Sequence, residues 1–210
     1  MSLFNEALKI VLQNEGGYTN HSQDKGGETY IGIARNFTQS WQGWPIIDGI
    51  KRTRTIKTGE IINNEVLHHL VRQFYYTEKW LSKDLEKLTS QAVASLAFDM
   101  STQHGNWARV INIALSPLGF NKNTDWFNSR IPNKLTSQSI TLMNGKPQDS
   151  YNKIAQARKQ YVQMLLDTGR LSKVFEDGIF NRINRFINNN YKFVFAGSAT
   201  ALLLLVGFFF

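Results

Sequence analysis

Apolar residues recur at Phe4, Ala7, Leu8, Val11 and Leu12, the i, i+3, i+4 spacing of a helix with one buried face, and Ser2 stands where a cap would open it. The pattern breaks at Glu15-Gly16-Gly17-Tyr18, where either glycine can take the left-handed conformation that closes a helix, so this helix is expected to end near Glu15. Over residues 18–34 the β-branched and aromatic run Thr29, Tyr30, Ile31 and Ile33 around Gly32 predicts a short, irregular β-hairpin. Helical spacing then returns: Val66, Leu67, Leu70, Val71, Phe74 and Tyr75 share one face of a helix over 64–82. Residues 90–103 are almost wholly apolar between Ala92 and Ala97, which predicts a central buried helix capped at Ser90. A further helix starts near Asn106, carries Val110, Ile111, Ala114 and Leu115, and stops before Pro117 and Gly119. Tyr151, Ile154, Ala157, Tyr161, Met164 and Leu165 place another over 149–168, closed at Gly169. The fold class is mainly α with one small β element beside the first helix.

The last pattern is of another kind. From Phe193 to the end at Phe210 no residue is charged and apolar residues lie all round, which predicts a C-terminal hydrophobic helix just long enough to span a bilayer, with a buried core helix as the plainer reading. Asn188-Asn189-Asn190 reads as its linker, and no N-terminal signal peptide is visible, because the first apolar pattern is amphipathic and contains Glu6. Arg182, Arg185 and Lys192 precede the span, and the positive-inside tendency would hold the rest of the chain on the cytoplasmic side.

With 210 residues and 42% hydrophobic content, the chain has enough apolar material for one substantial core or two small ones. Cysteine is absent, which removes disulfides, thiolate nucleophiles and Cys-based zinc sites together. Of the four histidines, His68 and His69 are adjacent and lack the i, i+4 spacing of a helical zinc pair, so no metal and no cofactor is expected. The net charge of +8 includes one dense run, Lys51-Arg52-Thr53-Arg54-Thr55-Ile56-Lys57, which reads as a solvated loop and favours an anionic polymer through its field. No helix-turn-helix, zinc finger or RNA-binding aromatic signature accompanies it, so no specific nucleic-acid partner is expected.

The chemistry concentrates around Glu15. A carboxyl group at a helix C-terminus sits beside the negative end of the dipole, which favours its protonated form, and hydrolysis of a sugar acetal needs such an acid near neutral pH. It also needs a second carboxylate across the scissile bond. Asp24, in the turn-rich run Asp24-Lys25-Gly26-Gly27-Glu28-Thr29, is the nearest candidate, and Glu28 is its rival. Thr29 offers a short hydroxyl to orient water or sugar. Tyr18 and Tyr30 flank the site in sequence and rank first as saccharide platforms, with Trp44 behind them. Each piece has a plainer reading as well: a solvated helix end, an ordinary hairpin turn, core aromatics.

Taken together, Phe4-Asn5-Glu6-Ala7-Leu8, Glu15-Gly16-Gly17-Tyr18 and Asp24 to Ile33 resemble the EGGY-type N-acetylmuramidases of glycoside hydrolase family 108, also described as secretion-activating proteins and phage-type lysozymes. Tyr75-Tyr76-Thr77-Glu78-Lys79-Trp80, Phe98-Asp99-Met100-Ser101-Thr102-Gln103-His104-Gly105, Arg158, Tyr161 and Asp177-Gly178-Ile179-Phe180-Asn181-Arg182 extend the resemblance over about residues 4–186. Gln103-His104 stand where the family usually has Asn before the glycine, and Phe180 where it has Trp. The resemblance implies a lysozyme-like α+β domain over 1–105 and a helical peptidoglycan-binding-like region over 106–187, followed by linker and tail over 188–210. It implies Glu15 as catalytic acid and Asp99 at the cleft floor, with His104 beside it, in contact with peptidoglycan glycan strands. Asp99 also has a structural reading, as a hydrogen-bonding residue between helix and loop. The order Glu15, Asp24, Thr29 is similar to that in T-even phage lysozymes. The implied activity is cleavage of the β-1,4 bond between N-acetylmuramic acid and N-acetylglucosamine in the bacterial envelope; the apolar tail predicts that the chain is membrane-associated. The alternative on the same scaffold is a non-catalytic wall-binding or secretion-accessory protein.

Overall fold

The computed structural model describes residues 3–21 and 26–188. The expected Ser2 cap, Asp24 and the apolar run 193–210 lie outside the described residues. Among the described residues no helix is long and apolar enough to cross a membrane. The architecture is helical with one small sheet, as the patterning predicts.

Helix α1 (Leu3–Leu12) buries Phe4, Ala7, Leu8 and Val11, the face its spacing marks out. It packs on α4 (Gln91–Gln103), in which every residue from Ala92 to Ser101 is buried. Ser90 occupies the N-cap position of α4 in extended backbone, but its hydroxyl makes no capping bond. Closure of α1 differs from the expectation. Asn14 and Glu15 donate backbone bonds three residues back, to Val11 and Leu12, and the Asn14 side-chain amide donates to the Ile10 carbonyl at 2.8 Å. Neither Gly16 nor Gly17 takes a left-handed conformation. The orphan carbonyls are thus met by a tightened last turn and a side chain rather than by a glycine cap.

After α1 the chain makes a three-stranded antiparallel sheet of two-residue strands, β1 (Tyr18–Thr19), β2 (Thr29–Tyr30) and β3 (Ile33–Ala34), in that order. Tyr18 pairs with Tyr30 and Tyr30 with Ile33, which puts these three on the buried face. Gly17 is needed for a different reason than helix closure. Its backbone runs against the 59–60 segment, where Tyr18 N donates to the Glu60 carbonyl and Gly59 N to the Tyr18 carbonyl, both at 2.8 Å. A Cβ on Gly17 would fall 2.4 Å from the Glu60 carbonyl oxygen.

Helix α2 (Gly43–Thr53), which the patterning does not reveal, takes up the first part of the basic run. Lys51 there pairs with Glu28, and Arg54 beyond it with Glu60, so two cations of the run are held in ion pairs. Helix α3 (Glu65–Phe74) starts at an Asn64 cap that accepts from Leu67 N, and at Tyr75–Trp80 it widens into a π-helix. Val66, assigned to the apolar face, is 61% exposed, because that face narrows to Leu67, Leu70, Val71 and Phe74.

Helices α5 (Trp107–Ala114), α6 (Ser137–Gly145), α7 (Pro147–Asp167) and α8 (Glu176–Asn188) complete the chain. Asn112 of α5 ties down the segment entering α6 by donating to the Pro132 and Lys134 carbonyls and accepting from Ser139 Oγ. Helix α7 packs on both α4 and α5, and buried residues from the two halves of the chain form one continuous cluster. Gly17→Ala is expected to cost about 1–3 kcal/mol, because the backbone pairing of 17–18 with 59–60 must move to admit a methyl group; a shift of the urea midpoint at unchanged slope measures it.

Candidate active site

Glu15 follows directly on the tightened end of α1, with its side chain 22% exposed. Its carboxyl group lies over the hairpin turn joining β2 to β3. Both central residues of that turn, Ile31 (φ 45°) and Gly32 (φ 70°), have positive φ, as a two-residue type I′ connection requires. Gly32 is the close-approach residue: a Cβ there would stand 2.7 Å from Glu15 Oε2 and 2.6 Å from Tyr75 Oη. Ile31 has no such excuse, since a β-branched residue in the left-handed region is strained by about 1–3 kcal/mol. It is held by burial and by Tyr75, whose hydroxyl donates to the Ile31 carbonyl at 3.1 Å.

The π-helix supplies two neighbours of the acid. Tyr75, at its start, places its hydroxyl beside Glu15, and its own pKa is pushed up by burial and by that carboxylate. Lys79 adds a cationic influence. Wide helical turns of this kind concentrate at functional sites because they re-aim side chains locally. From the other side, Arg182 of α8 brings Nη1 to 3.9 Å from Glu15 Oε1. Burial dominates the electrostatics and raises the Glu15 pKa above the ordinary carboxyl value; Arg182 pulls it down, Asp99 pushes it up and Lys79 pulls it down. A mostly enclosed carboxyl that keeps its proton to higher pH than usual is suited to general acid chemistry.

Asp99 is not a cleft-floor contact. It is wholly buried, and both of its oxygens are taken: Arg158 Nη2 donates to Oδ2 at 2.6 Å, and Arg182 Nε donates to Oδ1 at 2.8 Å. Arg158, also wholly buried, donates in addition to Gln103 Oε1 and to His104 Nε2. His104 accepts that bond as the neutral ring, and burial first, then the two arginine charges, lowers its pKa to about 3. The plainer reading of Asp99, a buried hydrogen-bonding residue, is the one its surroundings match.

The expected aromatic platforms are likewise turned inward. Tyr30 is fully buried, with its hydroxyl accepting from Ile62 N at 3.1 Å. Trp44 is covered by the Arg35 guanidinium 4.5 Å over its ring and donates to the Thr38 carbonyl. The hydroxyl of buried Tyr18 donates to Glu28 at 2.7 Å, and burial with that carboxylate raises the Tyr18 pKa to about 12. No open ring face is left for a sugar at any of the three. Glu28, the rival second acid, is buried and paired with Arg35 at 3.0 Å and Lys51 at 2.8 Å. Thr29 is half-buried, and its hydroxyl donates to the Gly27 carbonyl at 3.1 Å, which leaves its lone pairs to accept from a water. Among the described residues no group of three or more His, Asp or Glu is placed to hold a metal ion.

A cavity of about 490 Å³ is lined by Asn14, next to Glu15 in the chain, by Arg182, and by Gln13, Gln103, Phe175 and Ile179; Glu15 itself does not line it. A larger one, about 610 Å³, lies against Phe4, Tyr76 and Trp80. Residues 8–105, which contain Glu15, the hairpin, the π-helix and Asp99, match the model of the family Glycosyl hydrolase 108. Residues 8–105 belong to that family. The chain is accordingly a glycoside hydrolase. Its fold is similar to the structure of Brucella abortus SagA, with a TM-score of 0.55 and 17% identity over 92% of this chain and 97% of that one. No curated protein matches the chain in sequence. The glycosyl hydrolase 108 segment ends at residue 105, immediately after α4, whereas Arg158 and Arg182 come from beyond it.

Tyr75, Gly32 and Arg182 are the neighbours of Glu15 that motif reading leaves without a role. Arg182 had a legible signal: it interrupts the apolar stripe Ile179, Ile183, Phe186 of α8. Asp99→Ala is expected to destabilise the protein by about 3–5 kcal/mol, since it leaves Arg158 buried without its counter-charge. Denaturant unfolding of the variant against wild type checks this.

Proposed function

We propose that the chain hydrolyses the β-1,4 bond between N-acetylmuramic acid and N-acetylglucosamine in peptidoglycan, with Glu15 as general acid. Family membership supports a lysozyme-like peptidoglycan hydrolase in general terms. The observation that carries the finer reading is the setting of Glu15. It is a mostly enclosed carboxyl with a raised pKa, seated over a strained turn, and its chain neighbour Asn14 and its ion-pair partner Arg182 line an open cavity. Protonated Glu15 would deliver its proton to the glycosidic oxygen as the bond breaks, and oxocarbenium character would develop on the muramic acid ring. Asp24 is proposed as the second carboxylate, because Glu28 is committed to Arg35 and Lys51. Thr29, with its hydroxyl proton given to the Gly27 carbonyl, would accept from the water that completes hydrolysis. The net charge of +8 draws the protein toward the anionic wall polymer through its field.

Removing the proton donor is the direct test. Glu15→Gln keeps the shape of the side chain and is expected to reduce release of reducing ends from purified peptidoglycan about 10²–10⁴-fold, with sedimentation on the wall material unchanged. Undiminished release would exclude Glu15 as the acid, and loss of wall binding alone would point to the non-catalytic alternative. Wild-type activity should decline on the alkaline side through a pKa above the ordinary glutamate value, because the acid form is lost as pH rises past it.

Part of the same proposal is that residues 193–210 anchor the hydrolase to a membrane, on the strength of their uncharged, uniformly apolar sequence. Full-length protein is then expected in the membrane fraction and resistant to extraction by carbonate. Recovery of the intact chain in the soluble fraction would end that part of the proposal and leave the hydrolase reading untouched.

A further inference from the structure

We propose that Arg182, on α8 and beyond the glycosyl hydrolase 108 segment, is a positioning residue of the hydrolytic site, spanning from buried Asp99 to the Glu15 carboxyl group. The inference rests on Glu15 being the acid. The Arg182 side chain is only 9% exposed, and its two ends do different things. Nε and Nη2 hold Asp99 Oδ1 at 2.8 and 2.7 Å, while Nη1 reaches to 3.9 Å from Glu15 Oε1. A guanidinium is planar with a fixed fork of donors, so anchoring one edge on a buried carboxylate sets where the other edge points. Asp99 is itself fixed by Arg158, which gives the Arg182 fork a rigid base reaching into α7.

Charge balance explains why an arginine belongs there. Asp99, Arg158 and Arg182 together carry one net positive charge, and the groups facing Glu15 from its other sides are Tyr75 and Lys79 of the π-helix and the apolar turn at Gly32. Burial by itself favours the protonated form of Glu15. An acid that must give up its proton in one step and recover it in the next needs its anion to be tolerated as well. Arg182 supplies that tolerance through its charge, with Nη1 3.9 Å from Oε1.

The hydrolytic site is therefore composite. The family segment contributes the acid, the hairpin and the π-helix, and the C-terminal region contributes the cation that orients the acid. This gives α8 a role at the reacting end of the molecule in addition to any contact that its surroundings make with the wall.

Arg182→Gln tests the proposal in the full-length chain, since the amide can still donate to Asp99. The alkaline limb of the pH profile of kcat/KM is expected to move up by about one unit, because an acid that loses a neighbouring cation keeps its proton to higher pH. The maximal kcat is expected to fall roughly ten- to hundredfold with KM nearly unchanged. A folded variant with the wild-type pH profile overturns the proposal, whatever its rate, because a purely structural arginine would leave that limb in place. Should Arg182→Gln fail to fold, Arg182→Lys decides: its single ammonium cannot serve both carboxyl groups, so the limb moves in the same direction by less, and an unmoved limb is equally fatal. The two readings separate cleanly. An active Glu15→Gln protein removes the acid assignment itself, whereas an inactive Glu15→Gln with an unshifted Arg182→Gln removes only the role of Arg182.

Discussion

One buried carboxylate sets the terms for the rest of the molecule. Asp99, in the middle of a helix with no exposed face, has a charge that must be met inside the protein, and the cost of burying it alone would be several kcal/mol. Arg158 and Arg182 meet it from α7 and α8. Neither arginine has an easy alternative, since both are buried and a half-formed cluster would leave one charge without its counter-ion. The three helices must therefore come into register together. A trio of apolar side chains of the same volume would often pack there at least as stably, so net stability does not account for the choice of ions. What the ions add is the free edge of Arg182 beside Glu15.

How much of this is legible in the sequence depends on what kind of signal each part leaves. Helices α1, α4, α5 and α7 are read from apolar periodicity because each buries a wide stripe, and α4 is read as central because its stripe has no polar side. Helix α2 escapes because Gly43, Pro45 and Gly49 interrupt its propensity and few of its residues are buried, so tertiary packing decides the conformation. Glu15 is singled out by its motif. The aromatic platforms fail for a physical reason: a Tyr or Trp near a site in sequence is as useful to a small sheet's buried face as to a sugar, and β-strand alternation sends Tyr18 and Tyr30 inward together. Charge, by contrast, is informative when it breaks an apolar stripe. Asp99 in α4, Arg158 between Ile154 and Tyr161, and Arg182 beside Ile183 each do so, and three such interruptions of opposite sign predict that they meet.

The EGGY motif has a narrower meaning in the fold than as a string. Of its two glycines, Gly17 is required by the approach of the 59–60 backbone, and neither closes the helix. The Tyr is a buried strand residue bonded to Glu28. Only Glu15 faces the site. The motif thus records how the chain leaves α1 and enters the sheet with the Glu15 carboxyl group over the β2–β3 turn, and the groups that shift its pKa lie elsewhere.

Those pieces share one property, which is that each is locally unfavourable. Ile31 is held at positive φ, Tyr75–Trp80 abandons regular α-helical spacing, and Arg182 is buried with its charge. Local sequence preference selects none of the three. Each is held in place by the others: Tyr75 clamps the Ile31 carbonyl, the turn brings Gly32 under Glu15, and Glu15 faces Arg182 across the cleft wall. Strain distributed over three elements in this way can persist only where the surrounding core over-determines it. The Asp99 cluster and the packing of Phe98 against Phe4, Tyr75 and Trp80 supply that core directly behind the acid. Glu15 is thus backed by the core of α4 on one side and faced by α8 on the other, so that a carboxyl marked by a short N-terminal motif sits among residues from nearly the whole length of the described chain.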